Sequence, residues 1–196
     1  YPHINIVWHP CKSHPRPDRY EPHSDLCIQG FILFFAEPDS ILFNLGENIA
    51  KEAIEAFLSM EIIDNMHVVS CFIQLYEYIL AAGLSEKFHI EKLHHKLKDI
   101  IKREITEDRS KWGVEYICKP SQFFNSNRSI FYQSVKNIAD YECEFICNTQ
   151  LEDGTWGVPW SWENYQEKWA VSKNWWKANG ILTNMLYLKG LEYSTL

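Results

Sequence analysis

Gln150-Leu151-Glu152-Asp153-Gly154-Thr155-Trp156 is the stretch from which the rest of the chain can be read. A Gln at a helix end, a Gly at the turn and a Trp two residues later are parts for joining one helix to the next. Gly154 can take the left-handed conformation that ends a helix. The Gln150 amide can hydrogen-bond orphan backbone groups there, and the Trp156 ring can cover the join while its single N–H finds a partner.

Working outward, the spacing of apolar residues predicts helices of two alternating kinds. Residues 25–36 are apolar all the way round, with Leu26, Cys27, Ile28, Phe31, Ile32, Leu33, Phe34 and Phe35. Such a helix is expected to be buried on every side. After the Glu37-Pro38-Asp39-Ser40 break, residues 43–59 place Leu45, Ile49, Ala53, Ile54, Phe57 and Leu58 on one stripe opposite Glu47, Asn48, Lys51, Glu52 and Glu55. The alternation repeats. Residues 65–82 are apolar around most of the circumference and stop at Gly83, and a helix capped by Ser85 carries Ile90, Leu93, Leu97, Ile100, Ile101 and Ile105 as one stripe. A third pair is predicted from residues 128–149 and 172–191, the latter with Ile181, Leu182, Met185, Leu186 and Leu188 inward and Gly180 weakening its middle enough to divide it.

An internal echo supports the pairing. Glu107-Asp108-Arg109-Ser110-Lys111-Trp112-Gly113-Val114 parallels Glu152-Asp153-Gly154-Thr155-Trp156-Gly157-Val158, with a separation of 45 between the two Glu and 44 between the two Trp. That distance suits one helix pair with its loops.

The Gln-x-x-x-Gly-x-Trp pattern of Gln150, Gly154 and Trp156 resembles the QW motif of the squalene cyclase and protein prenyltransferase superfamily, whose fold is an α/α toroid. Trp112-Gly113, Lys119-Pro120, Phe123, Trp160-Ser161-Trp162, Trp175 and Gly180-Ile181-Leu182-Thr183 extend the likeness to bacterial proteins built as toroids of this type, and Pro2-His3 with Trp8 is similar to their N-terminal loop. The resemblance implies an all-α, terpenoid-cyclase-like or prenyltransferase-like shell with an apolar cavity for a hydrophobic ligand. It implies no particular reaction. The Asp-x-Asp-Asp acid of squalene-type cyclases and the Asp-Asp-x-x-Asp magnesium motif of terpene synthases have no counterpart here. Asp140-Tyr141-Glu142-Cys143 approaches the Asp-x-Cys zinc pattern of the protein prenyltransferases but misses its spacing by one residue.

Composition sets outer bounds. The 196 residues suit one domain, with 46% apolar content and a heavy aromatic share that includes eight Trp. The 19 basic and 26 acidic side chains leave a net charge of −7 and form no basic stripe, so no nucleic acid partner is expected. The six Cys follow no repeated spacing, which fits free thiols in a reducing, cytoplasmic setting better than a disulfide framework. No apolar run is long enough to span a bilayer. Residues 1–24 hold five Pro and four His and read as an extended segment packed on a helical domain at 25–196. The chain begins at Tyr1, and the expectation is the C-terminal part of a longer chain.

Candidate chemistry is sparse, and each group has an ordinary structural role beside the functional one. Asp140 and Glu142, on a helix otherwise fit for burial, are candidate acid or base groups with pKa raised by desolvation; the plainer role is pairing with a Lys or a helix end. His67 is a third candidate or a residue at a helix start. His3, His9, Cys11, His14 and His23 are zinc-ligand types, or rings of a Pro-rich strap. Trp156, Trp160 and Trp162 with Glu163 could stack on sugar rings, as in carbohydrate-active toroids, or brace helix ends. His94 and His95 are expected in solvent. The sequence implies no cofactor. The expected architecture is all-α, a toroid or half toroid of inner and outer helices. A half would expose its inner face, so a missing N-terminal portion or a homodimer partner is expected to close it. An interaction scaffold without catalysis is the third functional reading.

Overall fold

The computed structural model describes residues 25–193 apart from residue 64. Six α-helices form among them, with no strand among the described residues: α1 (Asp25–Phe35), α2 (Ile41–Ser59), α3 (Met66–Ala81), α4 (Ile90–Glu104), α5 (Lys136–Asn148) and α6 (Gln166–Gly190). The local signals explain most boundaries. Ser40 Oγ accepts the Phe43 N–H at 3.1 Å and Asn65 Oδ1 accepts those of His67 and Val68, so both helices begin on side-chain caps. α3 ends where Gly83 takes φ +69° and the Leu84 N–H returns to the Ile79 carbonyl at 3.0 Å.

α1 packs on α3 and α2, α3 also packs on α4, and α2 touches α4, so the first four helices make two adjacent pairs. Leu26, Leu33, Phe43, Ala50, Ile54, Phe57, Val69, Phe72, Ile73, Leu75 and Ile79 fill the space between them, and the Phe57 and Phe72 rings stack at 3.9 Å. α4 has the cleanest one-sided stripe: Leu93, Leu97, Ile100 and Ile101 are buried. α5 joins through the short 3₁₀ turns at Pro120–Gln122 and Tyr132–Val135, and α6 docks by its C-terminal half, where Tyr187 and Leu191 are buried.

Several expectations need correction. α1 is not buried on every side: Phe31 is 52% exposed, and Ile28, Phe34 and Phe35 are open with it, because α2 and α3 cover only part of its circumference. α2 is rolled from the predicted stripe. It buries Phe43, Gly46, Ala50, Ile54 and Phe57 while Leu45 is exposed, since Gly46 sits so close to α1 that a Cβ there would lie 2.8 Å from Ile32 Cγ2. Ser85 opens a 3₁₀ turn, Ser85–Lys87, and does not cap α4, which starts at Ile90.

The helix predicted over 128–149 begins only at Lys136. Ser126 Oγ accepts the Arg128 N–H and Ser129 Oγ the Phe131 N–H, local bonds that compete with a helical ladder. Phe131 is fully buried in that turn. α6 starts six residues before the predicted Ser172 and runs unbroken through Gly180, and Leu182, Met185 and Leu186 on it are exposed. Only Tyr187, with Ile181 and Leu188 partly, turns inward. His94 is not in open solvent: its ring stacks on Phe131 at 5.7 Å, and its Nδ1 lies 3.4 Å from the Tyr76 hydroxyl.

Candidate functional site

Glu142 is fully buried in the middle of α5. The Ser121 N–H donates to Glu142 Oε2 at 2.8 Å and the Ser121 hydroxyl to Oε1 at 2.6 Å, while Lys119 Nζ lies 3.8 Å from Oε1. Burial pushes the Glu142 carboxyl above the usual range, against the opposing pull of Lys119 and Ser121. The Tyr187 hydroxyl of α6, 3.4 Å from the Ala139 carbonyl, is raised by burial and by the neighbouring Glu142. The Cys143 thiol, also buried, is pushed up to about 12 by burial first and Glu142 second. These groups join three pieces, the Pro120–Gln122 turn, α5 and α6, and leave Glu142 with its oxygens occupied by the protein's own donors. Ser121 and Tyr187 carry no signal of this role in the sequence, and Lys119 enters it only through the Lys119-Pro120 likeness. Pro120-Ser121 signals the opening of a turn and nothing more.

Asp140 lies apart from that core. Its Oδ1 accepts the Tyr132 hydroxyl at 2.9 Å, and its Oδ2 pairs with Lys136 one turn back on α5. His67 sits exposed in the first turn of α3, with Nε2 2.9 Å from the Tyr116 hydroxyl. The structure does not bring Asp140, Glu142 and His67 into one shared contact set. His9, Cys11, His14 and His23, like His3, lie outside the described residues, and among the described residues no three His, Cys, Asp or Glu converge as metal ligands.

The two Trp-Gly loops share a construction. Trp156 is buried, and its Nε1–H donates to the Ile146 carbonyl near the end of α5 at 2.8 Å; the Trp112 Nε1–H donates to the Thr106 carbonyl just past the end of α4 at 3.0 Å. Asp153 Oδ1 accepts both the N–H and the hydroxyl of Thr155, and Asp108 Oδ1 accepts both from Ser110. Each helix end is thus closed by an Asp turn and an indole. Gln150 Nε2 donates to the Gly154 carbonyl at 3.0 Å, and Gly154 has φ +79°, so the Gln folds over its own turn. Trp160 meets Tyr116 at 5.2 Å and Trp176 at 5.4 Å edge to face, and Trp162 rests on Trp169 at 5.5 Å. Glu163 is exposed in the short turn that leads into α6.

Among the described residues one cleft lies beside α4 and another between α2 and the turn that precedes α4. One, of about 320 Å³, is lined by Glu61, Ile63, Lys96, Asp99, Ile100 and Arg103. Its cations are engaged already: Lys96 Nζ donates to the Leu58 and Met60 carbonyls and Arg103 Nη2 to that of Ile63, closing the end of α2. The other, of about 270 Å³, lies between Lys51, Glu55 and Phe88. Both are small, mixed in polarity and bordered by charge.

The larger feature is apolar and open. Ile28, Phe31 and Phe35 recur at helical spacing along α1, and Ile41, at 91% exposure, continues the patch onto α2 with Leu42 and Leu45. A second stripe, Val171, Trp175, Leu182 and Leu186, runs along α6, with Trp175 at 73% exposure.

Comparison with protein-family models, with curated proteins and with solved structures returned no match. Fold and surface together define an all-α protein of packed helix pairs with open apolar faces. No helix among the described residues is long and apolar enough to cross a membrane.

Proposed function

We propose that this protein is a binding scaffold of the α/α-toroid kind, which works through the open apolar face of α1 and α2 and does not catalyse a reaction. The observation that carries the reading is the row Ile28, Phe31, Phe35, Ile41 and Leu45, exposed on two helices whose opposite sides are well packed. The candidate acids favour it too. Glu142 is bound by Ser121 and Asp140 by Tyr132 and Lys136, so the oxygens of both are engaged by the protein's own donors.

A terpenoid-cyclase-like or prenyltransferase-like reading is the second. It is favoured by Gln150, Gly154 and Trp156, which tie a turn to a helix end as a QW-type join would. On that reading α1 and its neighbours wall a lumen for an isoprenoid, completed by further chain or by a second copy. The carbohydrate-active reading rests on the Trp-rich loop, whose Trp160 and Trp162 already meet protein rings, edge to face and tilted.

A thermal-shift series with isoprenoid diphosphates and with oligosaccharides separates the three, because a ligand held only by the folded state raises Tm. The scaffold reading expects neither class to shift Tm. It expects a hydrophobic dye such as bis-ANS to bind and to lose part of its fluorescence in an Ile41→Glu, Leu45→Glu variant, the open face of α6 keeping the remainder. A saturable shift with an isoprenoid diphosphate overturns it in favour of the cyclase-like lumen, and one with an oligosaccharide in favour of the sugar site.

A further inference from the structure

The two open apolar faces differ in charge, and they sit on helices with different packing partners. The α1–α2 face is bracketed by acid. Exposed Glu37 and Asp39 lie in the turn at one end, and on α2 the exposed row Ile41, Leu45, Asn48 runs on at the same helical spacing into exposed Glu52 and Glu55. Residues 37–59 carry five acids against the single base Lys51, itself paired with Glu47.

α6 has the opposite sign. It carries four Lys against Glu167, with Lys177 beside Asp153 and exposed Glu163 and Glu192 just beyond its ends, and its apolar row Val171, Trp175, Leu182, Leu186 continues at helical spacing into exposed Lys168 at one end and exposed Lys189 at the other. α1 and α2 pack on α3 and α4, whereas α6 packs on α5, so the acidic-rimmed and basic-rimmed faces belong to the first and the last helix pair.

From this complementarity we propose that copies of this chain associate head to tail, the α1–α2 face of one against the α6 face of the next. Aromatic and aliphatic side chains from Phe31 to Leu45 meet Trp175 and Leu182, and the Glu37, Asp39, Glu52 and Glu55 rim meets Lys168 and Lys189. Stacked helix-pair proteins bury each unit's side against its neighbour and leave the two terminal sides in need of cover. A second copy offers each end what the other lacks. The contact is heterologous, so it closes into a ring or extends as a chain. The proposal rests on the scaffold reading, because it gives that binding face its occupant.

Sedimentation velocity on the wild type and two double variants tests it. Ile41→Glu, Leu45→Glu blocks the head; Trp175→Glu, Leu182→Glu blocks the tail; all four residues are exposed, so circular dichroism should match the wild type. At up to roughly 100 μM the wild type should form dimers or larger species that weaken as salt rises, through screening of the charged rims. Each variant alone should stay monomeric, and an equimolar mixture of the two should form one-to-one dimers through the single intact pair of faces. A tail-blocked variant that still dimerises overturns head-to-tail pairing in favour of symmetric α1–α2 pairing. A wild type that stays monomeric overturns self-association altogether. In that case, bis-ANS fluorescence reduced in the head-blocked variant leaves the scaffold reading standing, and fluorescence in that variant equal to the wild type's removes that reading as well.

Discussion

Ser121 holds Glu142 with both of its donors, the N–H at 2.8 Å from Oε2 and the hydroxyl at 2.6 Å from Oε1. This pair fastens the Pro120–Gln122 turn to the buried side of α5. Glu142→Ala leaves the two Ser121 donors and the half-buried Lys119 without the fully buried acceptor they share. The expected cost is about 3 kcal/mol. For a chain of this size that is a fall in Tm of roughly 6–12 °C by calorimetry.

The same carboxyl makes stability depend on pH. Burial raises the Glu142 pKa in the folded state, so the folded protein holds its proton over a range where the unfolded chain has released it. That contribution is complete below the ordinary Glu value of 4.5 and is lost as pH rises through the raised folded-state value. Glu142→Gln, which cannot titrate, should therefore show a smaller loss of stability from pH 4.5 upward than the wild type in urea unfolding at a series of pH values. Parallel pH profiles for the two proteins would refute the assignment.

The two indole joins should behave alike. Trp156→Phe and Trp112→Phe keep an aromatic plate but leave the Ile146 and Thr106 carbonyls without their N–H donors. Each should cost about 1–2 kcal/mol by chemical denaturation. Costs differing by more than about 2 kcal/mol would mean that the two loops are not equivalent parts of a repeat.

Along α6, one substitution at two glycines should act with opposite sign. Nothing lies within 4 Å of a Cβ built at Gly180, so Gly180→Ala should stabilise the helix by about 1 kcal/mol. At Gly190 the same carbon would fall 1.7 Å from the Asn125 carbonyl oxygen, and backbone there cannot yield cheaply. Gly190→Ala should cost more than about 3 kcal/mol and lower the helical signal of the α6 end.

Phe31 and Phe72, both expected in the core, separate in the structure: Phe31 is 52% exposed and Phe72 is buried. Phe72→Ala should cost about 3–5 kcal/mol, and Phe31→Ala less than about 1 kcal/mol in dilute monomer. Equal costs in urea unfolding would mean that α1 is covered on its open side.

Local sequence was sufficient for the helical class, the break before α2, the stop at Gly83 and the one-sided stripe of α4, though not for the cap expected at Ser85. Those depend on hydrogen bonds and periodicity within a few residues. The join at Gln150, Gly154 and Trp156 was legible for the same reason, since its partners lie on the adjacent turn and helix end. The role of Glu142 was only half legible. Its position on an apolar helix suggested burial, but the Ser121 contact spans 21 residues, and no local pattern encodes it.

What only the tertiary structure decided was which apolar faces are covered. An all-round apolar sequence at residues 25–35 says that water is unfavourable on every side, while the number of neighbours that arrive is set by how α2 and α3 pack against it. Gly46 against Ile32 rolled α2 so that Leu45 faces out, and docking through one face near its C-terminal end, at Tyr187, Leu188, Gly190 and Leu191, left the stripe from Val171 to Leu186 in water. Hydrophobicity is a property of each residue. Burial is a property of the neighbours, and a side chain's own identity does not say how many there will be.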